Sequence, residues 1–354
     1  MLSVQKEILL KEVKEAVKSC GNPESIILAG IGGSNLGALA IYKALRPKKE
    51  ICFAETLDSR RLSRILDQMK HPAVLIIVSK SGTTTETIAN AAVLLSNFKK
   101  GDKVITITDE GSKLWNWAEK HEFLKISIPK EIVGRYSVFT AAGLLPLFLA
   151  GIKVKKLLEG AGEASNESAL SSAKMIYENW KAGKIIHDMF LFEPDLEWLG
   201  KWHRQLVGES LGKDGKGITP TVSIGTTDLH SVAQLYLGGP KDKFTTFVSV
   251  KNSGKDFKIP AKYDVDDLVK DISGKKFSQL INVILDGVKI AYRKQNLPFA
   301  EIELEDISEK SLGRFMQEKM METVHLAKLM GVNPFDQPQV ELYKEETRKL
   351  LKNI

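Results

Sequence analysis

The stretch Ala73-Val74-Leu75-Ile76-Ile77-Val78-Ser79-Lys80-Ser81-Gly82-Thr83-Thr84-Thr85-Glu86-Thr87 decides how this chain folds. Its opening apolar run has the pattern of a strand buried on both faces of a parallel sheet. Seven of the nine residues from Ser79 to Thr87 are hydroxylic or glycine, and a helix-like stretch follows at 86–95. Such a turn aims Ser and Thr hydroxyls and unpaired backbone N–H groups at one point, which suits a phosphate. The Gly-x-x-x-x-Gly-Lys-Ser/Thr spacing of a nucleotide triphosphate loop is missing, so the expected ligand is a small phosphorylated metabolite.

Outward from this segment, strand-like runs at 25–29, 51–54, 104–108 and 124–128 alternate with helical patterns. Their spacing, about 20 to 30 residues, suits βα units and a parallel sheet covered on both faces. A helical run at 140–158 leads into a small, polar stretch at 159–172, where the sequence places a domain boundary. The second half repeats the architecture less clearly, with strands at 189–192, 221–224, 244–250 and 301–304 and closing helices at 312–329 and 337–351. The fold class is therefore α/β, with two doubly wound αβα domains: 1–158 carries the phosphate loops and 159–335 follows. A tail, 336–354, is expected to close the active site. Strand C-terminal ends of both domains are expected around one shared cleft.

The chain has 354 residues and 43% hydrophobic content, enough for real cores. Its formal charge of +7 comes from 51 basic against 44 acidic residues. No basic run is interleaved with aromatics, so a solvated basic surface explains the excess better than a nucleic-acid partner. Cys20 and Cys52 form no metal-ligand pattern and no disulfide framework. The segment 1–20 is an amphipathic Lys/Glu-rich stretch rather than a signal peptide, and the apolar run 141–152 is too short for a bilayer. The expectation is a cytoplasmic protein with no membrane partner.

Four further segments bear chemistry. Gly30-Ile31-Gly32-Gly33-Ser34-Asn35-Leu36-Gly37 follows the first strand and opens a helix, the setting of a phosphate-binding turn. As a dinucleotide fingerprint it fails at Asn35, although Glu55 stands where a ribose-binding acid would. Gly134-Arg135-Tyr136-Ser137 offers a guanidinium that stays protonated, either paired with a surface carboxylate or stabilising charge on a substrate oxygen. Glu209, near a helix end before Gly212-Lys213-Asp214-Gly215-Lys216-Gly217, is either solvated or a carboxylate base. His230, in Asp228-Leu229-His230 beyond a strand end, is a candidate acid/base group, whereas most lone histidines are structural.

In order along the chain, these segments together with Asn333-Pro334-Phe335-Asp336-Gln337-Pro338-Gln339-Val340-Glu341 resemble the glucose-6-phosphate isomerase (phosphoglucose isomerase) family in its compact bacterial form. The resemblance implies two sugar-isomerase (SIS) domains, a homodimer, and metal- and cofactor-free interconversion of glucose 6-phosphate and fructose 6-phosphate, a step of glycolysis and gluconeogenesis. By the same resemblance Ser34, Ser79, Ser81 and Thr84 hold the phosphate, with Gly33 and Lys80 giving backbone support. Glu209 corresponds to the base that moves a proton between C1 and C2 through a cis-enediol, and Arg135 to the group that stabilises it. His230 and Lys344 correspond to the ring-opening groups, Gln205 to a substrate contact, and Glu86 to a carboxylate that orients the histidine, which the neighbouring subunit supplies. The chain departs from the pattern in being shorter and in carrying Tyr343 where a glycine usually precedes the lysine. Rival readings are a bifunctional phosphoglucose/phosphomannose isomerase and a non-catalytic phosphosugar-binding regulator.

Overall fold

A computed structural model describes residues 2–263 and 265–353. The chain divides into two compact units, one formed by 1–163 with 335–354 and the other by 164–334.

The first unit runs α1 (Leu2–Cys20), β1 (Ser25–Ala29), α2 (Leu36–Leu45), β2 (Ile51–Ala54), α3 (Ser59–Gln68), β3 (Ala73–Val78), α4 (Thr85–Leu95), β4 (Lys103–Thr108), α5 (Lys113–Lys120), β5 (Leu124–Ser127), α6 (Ala141–Leu149) and α7 (Val154–Gly162). All strand pairs are parallel, in the order β2-β1-β3-β4-β5. Every residue of β3 is buried, as its unbroken apolar run demands. Alternate side chains divide the work: Leu75 and Ile77 of β3 join Ile27 and Ala29 of β1 against Ile65, Ala91, Leu94 and Leu114 from α3, α4 and α5. On the other face α6 packs with α1 and α2. The order reverses between β1 and β3, and at such a switch point the loops leaving the strand C-terminal ends open a crevice.

One expectation fails here. The helical run 140–158 is two helices, because the chain turns at Gly151 with φ of +87°, a conformation that glycine adopts freely.

The second unit comprises α8 (Asn166–Lys181), β6 (Ile186–Leu191), α9 (Glu197–Leu211), β7 (Thr219–Ile224), α10 (Ala233–Gly238), β8 (Lys243–Asn252), α11 (Phe277–Lys294), β9 (Phe299–Asp306) and α12 (Glu309–Met330). Its parallel sheet has the order β7-β6-β8-β9, the same winding as the first four strands of the other sheet. One layer of core joins α8, α9 and α12 through Ala173, Ile176, Val207, Leu211, Leu326 and Met330. The other is aromatic, with Phe190, Phe192, Phe247 and Tyr292 packed at centroid separations of 5.1–6.0 Å.

Most of the polar stretch 159–172 is helical. Ser165 caps α8 by accepting from Ser168 N, and small Ala169 and Ala173 are buried. The tail helix α13 (Pro338–Leu350) lies in the segment that belongs with the first unit. Among the described residues no helix is long and apolar enough to cross a membrane.

Candidate active site

In the first unit, two loops leave neighbouring strands at the switch point. One follows β1 and forms a short 3-10 turn, Gly32–Ser34, before α2; the other follows β3 and opens α4. Gly82 turns the second loop with φ of +67°, and Ser79, 1% exposed, bonds through Oγ to Thr84 Oγ1 at 2.8 Å. Ser81 Oγ accepts from Thr83 Oγ1 at 3.2 Å and stays exposed. Lys80 spends its ammonium on the carbonyls of Lys130 (2.6 Å) and Ile132 (2.8 Å), so its side chain braces the loop from the rear.

Helix caps set these two loops apart from three of their neighbours, although α7 and α13 likewise lack a side-chain cap at Lys153 and Gln337. Asp58, Ser112 and Thr140 cap α3, α5 and α6 by accepting N–H groups of their own first turns. Asn35 and Thr84 occupy the equivalent positions of α2 and α4 and are equally able to cap, yet neither accepts from its own helix. Both side chains are turned elsewhere, Thr84 to Ser79 and Asn35 to Glu55 Oε2 at 3.1 Å. First-turn N–H groups with the positive end of a helix dipole behind them form an anion site. Glu55 is also bound to Arg61 Nη1 at 2.9 Å, which places it in an internal network rather than in the role of a ribose-binding acid.

Gly33 is fixed by packing. A Cβ there would stand 2.2 Å from the Gly134 carbonyl carbon and 2.5 Å from Arg135 N, a clash of backbone on backbone. Ser137 Oγ donates to Gly33 O at 3.1 Å and completes the join. Arg135 thus stands directly against the first phosphate loop. It is 2% exposed, with Nη1 bonded to Gln337 Oε1 and Nη2 donating to Asp336 O at 3.0 Å. A guanidinium this buried is held by internal acceptors rather than by solvent. Gln337, to which the sequence reading gave no role, is therefore part of the site; it lies within the Phe335–Asp336–Gln337 segment already quoted.

Glu86 sits in the first turn of α4, half-buried. Lys344 lies midway along α13, where Nζ donates to Glu341 Oε1 at 2.8 Å. That bond, with a second from Arg348, holds the Glu341 carboxyl below its usual range.

In the second unit, Glu209 stands in the last turn of α9, near the helix end as the sequence reading places it. Gln205, one turn earlier, donates from Nε2 to Glu209 Oε1 at 2.9 Å, while Gln205 Oε1 is buried without a donor among the described residues. Lys213 is 7% exposed and ties Ser210 O (2.9 Å) to Asn333 O, which fixes the chain leaving α9. His230 ends a 3-10 turn, Thr227–His230, and is exposed; the short α10 follows. Asp228 folds the turn back on the strand by accepting from Ile224 N at 2.7 Å.

Glu209 and His230 stand at different levels of the sheet. In a parallel sheet the crossover helix runs against the strands. Accordingly, early α9 meets strand ends, with Gly200 against Leu191 and Val222, and late α9 meets strand beginnings, with Leu211 beside Ile218 and Phe244. Glu209 is thus at the N-terminal edge of the sheet and His230 beyond the C-terminal end of β7. Six residues of strand separate the two levels, roughly 20 Å. His230 thus lies beyond a strand end as the sequence reading has it, and Glu209 near a helix end, but the two are at opposite levels of the sheet.

Residues 10–230 match the family model described as phosphoglucose isomerase. The chain belongs to the phosphoglucose isomerase family. It is 33% identical to glucose-6-phosphate isomerase of Methanocaldococcus jannaschii over 98% of this chain and 89% of that one. The corresponding enzyme of Rubrobacter xylanophilus is 36% identical over 95% and 84%. A solved hypothetical protein from Thermus thermophilus superposes with a TM-score of 0.89 at 31% identity, covering 97% of this chain and 87% of that one. Against such phosphoglucose isomerase relatives the shortening is modest. The family assignment extends over Gly33, Ser79, Arg135, Glu209 and His230, all inside the matched span, whereas Gln337 and Lys344 lie beyond it.

Proposed function

We propose that this chain interconverts glucose 6-phosphate and fructose 6-phosphate by ring opening followed by proton transfer between C1 and C2. The observation that carries the reading is the pair of uncapped helices, α2 and α4, in a chain of this family that also holds Glu209 braced by Gln205. Ser34, Ser79, Ser81 and Thr84 take the phosphate with the amides of the two first turns, while Gly33 and Lys80 shape the loops. Each charge-assisted hydrogen bond contributes roughly 1.5–3 kcal/mol, so a handful anchors the remote end of the sugar.

Glu209 removes the proton next to the carbonyl and returns it to the neighbouring carbon. Gln205, bonded to one carboxylate oxygen and presenting its own buried Oε1, orients the base and offers a partner to a sugar hydroxyl. Arg135 carries a fixed positive charge for the oxygen that becomes negative in the enediolate, and its bonds to Gln337 and Asp336 hold that charge in place. His230 and Lys344 exchange protons with the ring oxygen and the hydroxyl when the ring opens and closes.

Glu209 and His230 of one chain are too far apart along β7 to serve one sugar, so a second copy supplies His230. A homodimer follows, with Glu86 placed to orient the incoming imidazole. Exposed apolar side chains near the His230 turn, Leu235 at 51% and Ile284 at 42%, the latter lining a cavity with Leu229 and Ala233, support burial of this face in the pair.

The test is a dehydrogenase-coupled assay of glucose 6-phosphate formed from fructose 6-phosphate by wild type and Glu209→Gln. Wild type turns over and Glu209→Gln loses turnover with little change in KM. An inactive wild type, or a fully active Glu209→Gln, refutes the mechanism. Turnover of mannose 6-phosphate in the same assay separates a broader specificity.

A further inference from the structure

The turn after β2 joins the two phosphate loops. Glu55 Oε2 accepts from Asn35 Nδ2 at 3.1 Å, and the adjoining Thr56 carbonyl accepts from Asn90 Nδ2 of α4, also at 3.1 Å. Asn35 and Asn90 are each 2% exposed. Arg61 Nη1 reaches the other oxygen of Glu55 at 2.9 Å.

Asparagine is among the strongest helix caps, because its side-chain oxygen readily accepts an N–H of the first turn. Asn35 already supplies the capping carbonyl of α2, which takes Leu39 N at 2.8 Å, but its side chain accepts nothing from that helix. We propose that Glu55 is a positioning residue: by holding the Asn35 side chain away from α2, it keeps the amides of Gly37 and Ala38 open to the substrate's phosphate. This rests on the phosphate reading given above.

The charges are consistent with that role. A lone carboxylate behind a phosphate cradle would repel a dianion, and the ion pair with Arg61 offsets most of that field. Release of Asn35 would also have a signature that loss of an ordinary brace would not. A lost brace lowers stability together with affinity, whereas a released asparagine caps α2, so affinity falls while stability holds.

The experiment titrates the full-length chain with inorganic phosphate and with fructose 6-phosphate, alongside steady-state kinetics and thermal denaturation. Glu55→Ala is expected to weaken phosphate binding and raise KM about fivefold, the scale of a helix-cap interaction, with kcat within about twofold and Tm not lowered. Glu55→Gln keeps an oxygen for Asn35 and binds phosphate like wild type. The double variant Asn35→Ala/Glu55→Ala has no side chain left to cap α2 and recovers affinity relative to Glu55→Ala. Asn35→Ala alone binds phosphate as wild type does, and a loss there with Tm retained overturns the proposal even where Glu55→Ala does not fold. Wild-type affinity in Glu55→Ala, or a loss that the double variant does not relieve, overturns it too. A wild-type chain that binds neither ligand removes the phosphate reading and this inference together; a binding wild type with an indifferent Glu55→Ala removes this inference alone.

Discussion

In the first unit the anion-binding groups stand together: two loops leave the adjacent strands β1 and β3 at one sheet edge, and Arg135 is packed against the first of them. In the second unit the candidate acid/base groups Glu209 and His230 stand at opposite ends of β7, although the sheet winds in the same order. Identical winding has therefore been put to two uses. Under the proposed function, one sheet gathers its groups at the switch point into a phosphate cradle made by a single chain, and the other distributes its groups so that each would serve a different copy. On that reading affinity for phosphate is a property of one chain and turnover a property of two.

The largest expected effect tests the chemical half. Glu209→Gln lowers kcat by roughly 10³-fold, the usual scale of a lost general base, with KM little changed. Mixing Glu209→Gln with His230→Ala then probes the sharing directly. Random exchange of subunits makes half the dimers mixed, and one of two sites in each is intact, so activity returns to about a quarter of wild type. No recovery after proven exchange would mean that both groups act within one chain.

Acid stability separates the units in another way. Burial pushes His187 down to about 3, aided by the nearby His203, and burial also lowers His203. Lys319 and Glu322 face the same buried cluster, with Lys319 Nζ donating to Glu322 Oε2 at 2.6 Å. Both histidines are neutral in the fold and bind protons once unfolded, near pH 6.5. The unfolded state therefore holds more protons below that pH. Stability is fully present above it and is lost as pH falls toward 3, by a few kcal/mol at pH 4. Hydrogen exchange at pH 4 should show the second unit opening before the first; the reverse order would break this part of the comparison. The smallest effect belongs to the cradle: Thr84→Ala removes one hydroxyl and raises KM about fivefold, with kcat nearly constant.

Strands 25–29, 51–54 and 73–78 were legible to the residue because uninterrupted apolar runs between turn residues have few other solutions. The start of β6 was not, since His187 and Asp188 interrupt the apolar pattern. They are buried all the same, satisfied by Thr246 for the histidine and by Thr221, Ser223 and Tyr236 for the carboxylate. Small residues at 159–172 marked the passage between the units, which falls after residue 163, but not the helices that enter it from both sides, since alanine and serine suit a loop and a tightly packed helix equally. Within the site, motifs gave the residues but not their levels in the sheet. Glu209 and His230 read as neighbours along the chain, and only the reversed direction of α9 shows that they point to different ends. The Asn35–Glu55 bond was hidden for a similar reason, since it crosses between two strand ends that adjoin only once the sheet forms.

The acceptors that fix Arg135 come from a segment 202 residues later in the chain. At synthesis rates of 5–20 residues per second, roughly 10–40 s pass between the emergence of Arg135 and that of Gln337. The second unit is made entirely within this interval, so the first unit waits on the ribosome with its key guanidinium unclamped. The clamp on Arg135 therefore closes only after residues 164–334 have been made, and under the proposed sharing of His230 turnover waits further on the pairing of two copies.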